Sequence, residues 1–437
     1  MISENLKIQE SELIETIHST AQQFGAHGVW GDDPTETGVC RLALTDLDKQ
    51  VKDWFIKETE SLGCTIKIDN VGNIFATFPG KHNDHLATGI GSHLDTQPTG
   101  GRYDGIYGVL SGLQVLRTLK SNNYVPNFPI TLVNWCNEEG ARFPMSMMAS
   151  SVWAGLTRKE DVYKLQDVFD STVTVEDELK RIGYFGEVDC SHRSNPLKCH
   201  FEIHIEQGPI LEALDKKIGV VTGAQAFSWI EVTFEGTAQH TGTTPLEFRQ
   251  DALLATSQVI WKLNEMAKSH GGLATVGKIS IEPDVVNVIP EKVSFAIDFR
   301  HCDDNVHKVM ESEVFGIIGQ ASKNTVGNGK PLAYSTNLLI HSPASHFDTK
   351  MLGIIEDSAS SIVGESLSHK IVSGAGHDSC NTNHVVPTAM IFVPSKDGIS
   401  HNPKEYTKPE EIFIGFKVLL ETILRYDADR LSELDIN

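Results

Sequence analysis

Segments with helical spacing alternate with strand-like segments along the amino-terminal part of the sequence, and this order limits the fold more than any other feature. The helical segments mix apolar and charged residues, whereas the strand-like segments are short apolar runs or flank a turn. We predict helices at residues 8–24, 44–62 and 105–119, two strands within 64–78 around a turn at 69–73, and a buried strand at 130–136. This alternation predicts an α/β fold with a mainly parallel sheet, whose ligand site lies beyond the carboxyl ends of the strands.

The middle of the sequence has a different order of elements. We predict a strand at 229–236, a helix at 249–269, strands at 274–281 and 292–299, and a helix at 304–322. This order suits a small α+β domain of about 100 residues, which is within the usual range for domains. We interpret Val326 to Pro331 as the return linker. The predicted layout is an α/β catalytic domain in two parts, residues 1–222 and 333–437, with the small domain inserted at 223–332.

The sequence is strongly acidic. Lys and Arg total 37 against 58 Asp and Glu, so the formal net charge is 37 − 58 = −21. We expect no nucleic-acid partner, because phosphate binding requires a cationic face. The seven cysteines are scattered without a CxxC pair, which is typical of reduced thiols in a chain of this size. We find no signal-peptide pattern and no apolar stretch of membrane-spanning length, and we predict a cytoplasmic protein without a membrane partner.

Two acidic residues and a histidine follow the small apolar run at residues 86–91. In Gly91-Ser-His-Leu-Asp-Thr96, extended backbone places His93 and Asp95 on the same face. His93 is a candidate metal ligand, and Asp95 is a candidate for orienting a nearby ring. Asp104 lies between glycines just before the predicted helix at 105–119, where its carboxylate could bridge two ions. A helix-capping aspartate is the alternative for Asp104.

An adjacent pair of carboxylates, Glu138 and Glu139, follows the buried strand at 130–136. Two carboxylates at the end of a buried strand repel each other and lose hydration, so a cation must compensate them. We assign Glu139 to a metal ion and Glu138 to the role of general base. An exposed acidic pair in a loop is the alternative.

A further histidine lies in Phe201-Glu-Ile-His-Ile-Glu-Gln-Gly208. Strand alternation places Glu202, His204 and Glu206 on one face and Gln207 on the other. A core histidine is the alternative for His204, and His401 lies among turn residues near the carboxyl terminus. Together these histidines and carboxylates predict two ions with oxygen and nitrogen ligands. The sequence lacks the G-x-S-x-G, G-x-x-x-x-G-K-[ST] and H-E-x-x-H motifs of other hydrolases.

With these segments in order, the sequence resembles the amidase, hydantoinase and carbamoylase branch of the dinuclear metallo-aminoacylase and carboxypeptidase family, from about Gly25 to Tyr426. Within that branch it is most similar to the fungal-type β-ureidopropionases (β-alanine synthases). The segments that carry the resemblance are 91–105, 137–143, 204–209, 223–229, 238–245 and 373–378.

The resemblance implies a dinuclear metal centre. One ion would be held by His93, Asp104 and His204, and the other by Asp104, Glu139 and His401, with Asp104 as the bridge. Glu138 would activate the attacking water, with Asp95 in support. Zinc is the expected metal, and manganese, cobalt and nickel remain open, because histidine and carboxylate ligands accept all of them.

The resemblance also implies the substrate contacts and a homodimer. Arg300 would bind the substrate carboxylate with its planar guanidinium. His240, from the inserted lid and dimerisation domain of a second subunit, would stabilise the developing oxyanion. The remaining expected pocket residues are Gln207, Asn287, Gly374 and Ala375. Surface or buried structural roles are the alternatives for Arg300, Gln207 and Asn287.

The implied reaction is hydrolysis of an N-carbamoyl amino acid, first of all N-carbamoyl-β-alanine, to the amino acid, ammonia and carbon dioxide. The segment Pro144-Met-Ser-Met-Met148 departs from the pattern of the family and leaves the substrate open. Allantoate and N-carbamoyl-L-α-amino acids are the alternative substrates. An alternative from another class is a catalytically silent binding protein of the same fold.

Overall fold

The predicted alternation of strands and helices is present in the computed structural model, which describes residues 1–324 and 326–436. The chain forms two compact units, of which the first comprises Met1–Gly223 and His346–Asn437 and the second Ala224–Ser345. The second unit therefore continues past the predicted return to the first domain after residue 332. The strand Ala333–Ser342 lies in the second unit because it pairs along the strand Ala226–Glu235 of that unit.

The strands follow one another along both units. In chain order they are β1 (Ala26–His27), β2 (Gly38–Val39), β3 (Thr65–Ile68), β4 (Ile74–Phe78), β5 (Ala87–His93), β6 (Ile130–Trp135), β7 (Leu197–Ile205), β8 (Ile218–Ala224), β9 (Ala226–Glu235), β10 (Gln239–His240), β11 (Leu273–Glu282), β12 (Val288–Ile289), β13 (Lys292–His301), β14 (Ala333–Ser342), β15 (Ser345–His346), β16 (Ser368–Ser373) and β17 (Thr388–Val393).

The α-helices precede, separate and follow these strands. In chain order they are α1 (Glu10–Gln23), α2 (Asp46–Leu62), α3 (Ile106–Ser121), α4 (Met148–Trp153), α5 (Lys159–Val162), α6 (Val175–Ile182), α7 (Ile210–Ala213), α8 (Ala252–His270), α9 (Asp304–Ala321), α10 (Thr349–Val363), α11 (Asp378–Thr382) and α12 (Pro409–Ile436). The predicted helices at 8–24, 44–62, 105–119, 249–269 and 304–322 are confirmed as α1, α2, α3, α8 and α9.

The central sheet of the first unit has the order β15-β8-β17-β7-β5-β6-β4-β3, with β16 beside β8. Its inner strands β17, β7, β5 and β6 are parallel, whereas β4 and β3 are antiparallel and form the hairpin predicted within 64–78. Every residue of β5 and of β6 is buried, as expected for strands covered on both faces. The mainly parallel α/β fold is confirmed, and the carboxyl ends of the four inner strands meet at one edge.

Helix α2 shows how the local sequence sets the bounds of an element in this unit. The side chain of Thr45 accepts a hydrogen bond from the backbone N–H of Asp48 and caps the start of the helix. The helix ends at Gly63, whose φ of 94° and ψ of 19° suit glycine far better than residues with a side chain.

The second unit is an antiparallel sheet in the order β11-β13-β9-β14, with α8 and α9 packed against it. Alternate residues of β9 and β13 are buried, and their apolar side chains form the core of this unit with the two helices. The short strands β10 and β12 pair beside this sheet, with His240 opposite Val288.

Among the helices of the described residues, none combines the length and the apolar composition that crossing a membrane requires.

Candidate metal centre

The candidate metal ligands come from the carboxyl ends of the four neighbouring parallel strands. His93 is the last residue of β5 and pairs with Trp135, the last residue of β6. Glu138 and Glu139 follow β6 directly, and His204 lies near the end of β7. His401 lies in the loop that follows β17. Parallel pairing therefore brings residues far apart in the sequence to one edge of the sheet, as predicted for a mainly parallel α/β fold.

Three groups of side chains among the described residues lie close enough to hold a metal ion; two of them share Asp104, and the third is Glu202, His204 and His377. The first is His93, Asp104 and His204, and the second is Asp104, Glu139 and His401; the ligand atoms of each group lie within 4.8 Å of one another. In the first group, Oδ1 of Asp104 lies 3.6 Å from Nε2 of His93 and 3.1 Å from Nε2 of His204. In the second, Nε2 of His401 lies 3.3 Å from Oδ2 of Asp104 and 3.4 Å from Oε2 of Glu139. Asp104 thus belongs to both groups.

The histidines of the first group both have Nε2 near the carboxylate of Asp104. Nδ1 of His93 lies 2.9 Å from the backbone oxygen of Asp95, and Nδ1 of His204 lies 2.8 Å from that of Ile205. A carbonyl oxygen only accepts hydrogen bonds, so Nδ1 carries the hydrogen and Nε2 of the neutral ring carries the lone pair. Nε2 of His204 also accepts the backbone N–H of Gly105 over 3.0 Å. Two imidazole nitrogens beside a carboxylate oxygen form a donor set that fits a divalent metal ion.

The electrostatics of the metal-free centre favour a positive charge there. Burial would lower the pKa of His93, but the carboxylates of Glu138, Asp104 and Asp95 outweigh burial and raise that pKa well above its ordinary value. Hydrogen bonding to Asp104 raises the pKa of His401 to about 9. Burial would raise the pKa of Asp104, but the three histidines around it hold that pKa well below its ordinary value.

The two glutamates of the centre, unlike Asp104, have pKa values above the ordinary value. Burial, followed by the charge of Asp104, raises the pKa of Glu139 to about 7. Burial and the nearby charges of Asp378, Glu139 and Asp104 raise the pKa of Glu138 well above its ordinary value, although His93 opposes the rise. A carboxyl with a raised pKa beside a cation site accepts a proton more readily than an ordinary carboxyl. Glu138 has the position for such a transfer, since its Oε2 lies 3.5 Å from Nε2 of His93.

Asp95 acts on the backbone of the glutamate pair rather than on a histidine ring. Its Oδ1 accepts the backbone N–H of Glu138 over 3.3 Å, and its Oδ2 accepts that of Glu139 over 3.2 Å. Only its backbone oxygen contacts the ring of His93. The expectation that the Asp95 side chain orients a ring is therefore corrected, because the loop after β6 offers two N–H groups within reach of this carboxylate.

Gln207 lies on the same side as the metal ligands, contrary to the strand pattern. Its Nε2 donates to Oδ2 of Asp104 over 2.7 Å and to Oγ of Ser400 over 3.2 Å. The strict alternation predicted for 201–208 ends with β7 at Ile205, and Gln207 has a φ of +60° that turns its side chain back toward Asp104. Glu206 instead accepts the backbone N–H of Ile210 and Leu211 at the start of α7.

The sequence reasoning missed three residues that hold the ligands in place. Gln97 donates from Nε2 to Oε2 of Glu139 over 2.7 Å. Glu405 accepts the backbone N–H groups of Tyr103 and Asp104 over 3.0 and 3.1 Å. Ser400 donates to Oδ2 of Asp104 over 3.1 Å and contacts Glu405. Ser400 and Glu405 lie close to His401 in the sequence. A carboxylate shortly after a candidate ligand is the sequence signal that could have indicated Glu405.

The segment that connects β16 to α11 contains Gly374 and Ala375. Ser373 organises it, because its Oγ donates to the backbone oxygen of Ala375 over 2.9 Å and lies 2.9 Å from Nε2 of His377. The buried ring of His377 packs against that of His204 with a centroid distance of 4.7 Å. The segment thus lies next to the first group of ligands through His377.

The other predicted residues belong to the second unit. His240 is in β10, and the backbone N–H of Thr241 donates to the backbone oxygen of Asn287 over 3.0 Å, so His240 and Asn287 lie close together. Arg300 is in β13, where its Nη2 lies 2.7 Å from Oδ2 of Asp298 and its guanidinium lies over the ring of Phe227.

The sequence of this chain matches a known protein family and two amidohydrolases over most of their length. The model of peptidase family M20/M25/M40 matches residues 89–425. An N-carbamoyl-L-amino-acid amidohydrolase of Rhizobium meliloti is 38% identical over 387 residues, which cover 88% of this chain and 90% of that protein. An allantoate amidohydrolase of Bacillus subtilis is 33% identical over 406 residues, which cover 89% and 92%.

Solved structures agree with these sequence relatives. The crystal structure of an amidase of the hydantoinase/carbamoylase family from Burkholderia multivorans has a TM-score of 0.88 and 41% sequence identity, over 96% of this chain and 98% of that one. The chain therefore belongs to the peptidase M20 family, in the branch of the N-carbamoyl-amino-acid and allantoate amidohydrolases, and it is a hydrolase that acts on linear amides.

Proposed function

We propose that this enzyme hydrolyses N-carbamoyl amino acids and that N-carbamoyl-β-alanine is its preferred substrate, with ammonia, carbon dioxide and the free amino acid as products. The observation that carries the proposal is the buried carboxyl of Glu138 beside a carboxylate, Asp104, shared by two groups of candidate metal ligands. The amidohydrolases to which the chain is similar support the reaction class. The motif resemblance to fungal-type β-ureidopropionases supports the β-amino acid and a role in pyrimidine breakdown.

The donor set suits two divalent ions, in keeping with a family whose enzymes typically hold two metals. His93, Asp104 and His204 would hold one ion, and Asp104, Glu139 and His401 the other. Zinc is proposed first, because imidazole and carboxylate oxygen are its usual ligands, and manganese, cobalt or nickel would use the same residues. When bound, the ions would supply Lewis acidity that polarises the carbamoyl group and makes a nearby water more acidic.

Glu138 provides the proton transfers. Its carboxylate takes a proton from the attacking water and then gives that proton to the leaving nitrogen, so one group serves both halves of the hydrolysis. Asp95 keeps Glu138 in place by accepting its backbone N–H. The carbamate formed after ammonia leaves decays to carbon dioxide and the amino acid.

The remaining proposed roles are binding of the substrate and stabilisation of the oxyanion. Arg300 would bind the substrate carboxylate, with Asp298 keeping its guanidinium in one orientation. Gln207, Asn287, Gly374 and Ala375 would line the substrate pocket. We propose a cytoplasmic homodimer in which His240 of the partner subunit stabilises the oxyanion, as a hydrogen-bond donor placed where negative charge develops.

Two alternatives remain distinct from this proposal. Allantoate or N-carbamoyl-L-α-amino acids would use the same metal ligands and the same base, and would differ in the pocket around Gln207 and the segment Met145 to Met148. A binding protein without catalysis would have no need of the buried, proton-accepting Glu138 beside the ligands.

The test is ammonia release from N-carbamoyl-β-alanine, several N-carbamoyl-L-α-amino acids and allantoate, each with added zinc or manganese. A higher kcat/KM for N-carbamoyl-β-alanine than for the others supports the proposal. Preference for another member of the panel refutes the substrate and keeps the reaction. Absence of release from all of them, in protein shown to hold two metals, refutes the proposed reaction.

A further inference from the structure

Two cationic side chains are buried behind the strand ends that carry the metal centre. Arg41 is 0% exposed and Lys52 is 1% exposed. Arg41 donates from Nε to the backbone oxygen of Leu94 over 2.8 Å and from Nη1 to that of Phe24 over 2.9 Å. Both partners are neutral, and Nη2 has no hydrogen-bond partner among the described residues. Leu94 lies between His93 and Asp95, so Arg41 holds the segment that presents both of them.

Lys52 approaches the same region from α2. Its Nζ lies 2.8 Å from Oδ2 of Asp48, one helical turn earlier, and 3.5 Å from Sγ of Cys136. Cys136 directly precedes the segment Asn137-Glu138-Glu139. Asp48 is also buried, and its Oδ1 has no hydrogen-bond partner in the described part of the chain. The ammonium of Lys52 thus lies beneath the loop that carries the glutamate pair.

Stability alone is a poor reason for this arrangement. The desolvation cost of a buried ion pair can exceed the attraction between its charges, and Arg41 lacks even a direct carboxylate partner. A burial of this kind needs another negative group nearby. The carboxylate of Asp48 attracts both cations most strongly, and that of Asp95, a residue only 3% exposed, attracts both Arg41 and Lys52 as well.

Asp95 connects the cations to the metal centre. Each of its carboxylate oxygens accepts one backbone N–H, from Glu138 and from Glu139. These two bonds fix the direction in which both glutamate side chains leave the backbone. A shift of Asp95 would therefore move the general base and a metal ligand together.

We propose that Arg41 and Lys52 are positioning residues, whose buried charges hold the Asp95 carboxylate against the Glu138–Glu139 backbone and thereby set the general base and the Glu139 ligand. The catalytic part of this inference rests on the proposed role of Glu138. The expected effect on metal binding rests only on Asp95, Glu139 and the two cations. It is measured as zinc affinity, without a substrate.

The test uses a neutral replacement of the ion pair that leaves no buried charge unpaired. Asp48→Asn/Lys52→Met should lower kcat at least about tenfold with KM changed less than about twofold, and should weaken binding of the Glu139 metal about tenfold, the usual range for groups that orient ligands. The conservative variant Lys52→Arg keeps a cation beneath the loop and should remain near wild-type kcat. Zinc affinity is measured by competition with a chromophoric chelator.

A double-mutant cycle separates positioning from a merely structural role. In an Asp95→Asn background, adding Asp48→Asn/Lys52→Met should have no further effect on kcat or zinc affinity. Wild-type kcat and zinc affinity in the neutral variant, or an equal additional loss in the Asp95→Asn background, overturns the proposal. If Asp48→Asn/Lys52→Met does not fold, Arg41→Gln is measured in the wild-type and Asp95→Asn backgrounds instead. The same outcomes then support or overturn the proposal. If the wild-type enzyme cleaves no substrate of the panel, the proposed function fails, while the zinc measurement still decides this inference.

Discussion

Nε2 of His204 lies 3.1 Å from Oδ1 of Asp104, and the other oxygen of this carboxylate faces His401 at 3.3 Å. One side chain thus serves both groups of candidate ligands. We predict that Asp104→Asn lowers the bound metal from two ions to fewer than one per chain, and kcat/KM by at least about a hundredfold, since both sites lose an anionic ligand. Elemental analysis after gel filtration measures the metal. Asp84→Asn, in an exposed loop, is the control and should retain both ions; two ions in Asp104→Asn would contradict the bridge.

Glu138 is predicted to be needed for turnover and not for metal binding. Its carboxylate contacts His93 but belongs to neither group of candidate ligands. Glu138→Gln keeps the size of the side chain and removes its ability to accept a proton. We expect two bound ions and a kcat lowered by about 10²- to 10⁴-fold, the usual contribution of a general base. Glu187→Gln, at an exposed site, should leave kcat unchanged. A Glu138→Gln enzyme with a near-normal kcat would exclude Glu138 as the base.

Gly105 allows the ring of His93 to approach the start of α3. A Cβ at this position would lie 2.2 Å from the His93 ring, and the φ of +65° disfavours residues with a side chain. We predict that Gly105→Ala displaces His93 and lowers zinc affinity at the first site by at least about tenfold. The matched control is Gly353→Ala in α10, where a Cβ meets nothing within 4 Å. This control should bind zinc normally and should be slightly more stable, by up to about 1 kcal/mol. Normal zinc binding in Gly105→Ala would show that the ring tolerates the displacement.

The ends of the buried strands were the most predictable part of this molecule. Apolar runs near residues 86–91 and 130–136 indicated β5 and β6, and alternating side chains over 201–208 indicated β7. The rule that ligands bind at the carboxyl ends of parallel strands explains why His93, Glu139 and His204 meet. Strand periodicity predicts the wrong face for Gln207 because it assumes extended backbone, and a single residue with positive φ ends that assumption. Gln97 could not be predicted from local pattern, since its partner Glu139 is remote in the sequence, and the only local signal for Glu405 was its position shortly after His401. The extent of the second unit was missed for a similar reason, because pairing with β9 assigns β14 to that unit.

The buried His200 predicts a loss of stability in acid. Burial lowers its pKa to about 3, whereas the ordinary value in an unfolded chain is about 6.5. Below about pH 6.5 the unfolded chain takes up a proton that the folded protein refuses, so the free energy of unfolding falls by about 1.4 kcal/mol per pH unit down to about pH 3. His200→Gln can still accept the hydrogen bond from Nε1 of Trp135 but cannot titrate. Between pH 7 and pH 5 the wild-type protein should lose about 2 kcal/mol more than this variant, as measured by urea unfolding. Equal losses of unfolding free energy in the two proteins would mean that His200 takes up a proton in the folded protein as readily as in the unfolded chain.

The proposed contribution of His240 from the partner subunit predicts complementation between two inactive variants. Glu138→Gln and His240→Ala each inactivate both sites of their own homodimer. In a mixed dimer, one site combines both substitutions and the other has neither, so that second site should work normally. Random reassociation of equal amounts should therefore restore about a quarter of wild-type activity, because half of the dimers are mixed and each has one intact site. Mixing under conditions that keep the subunits together is the control and should restore nothing. If His240 acted within its own subunit, the mixed dimer would contain one defect in each site, and no activity would return after reassociation.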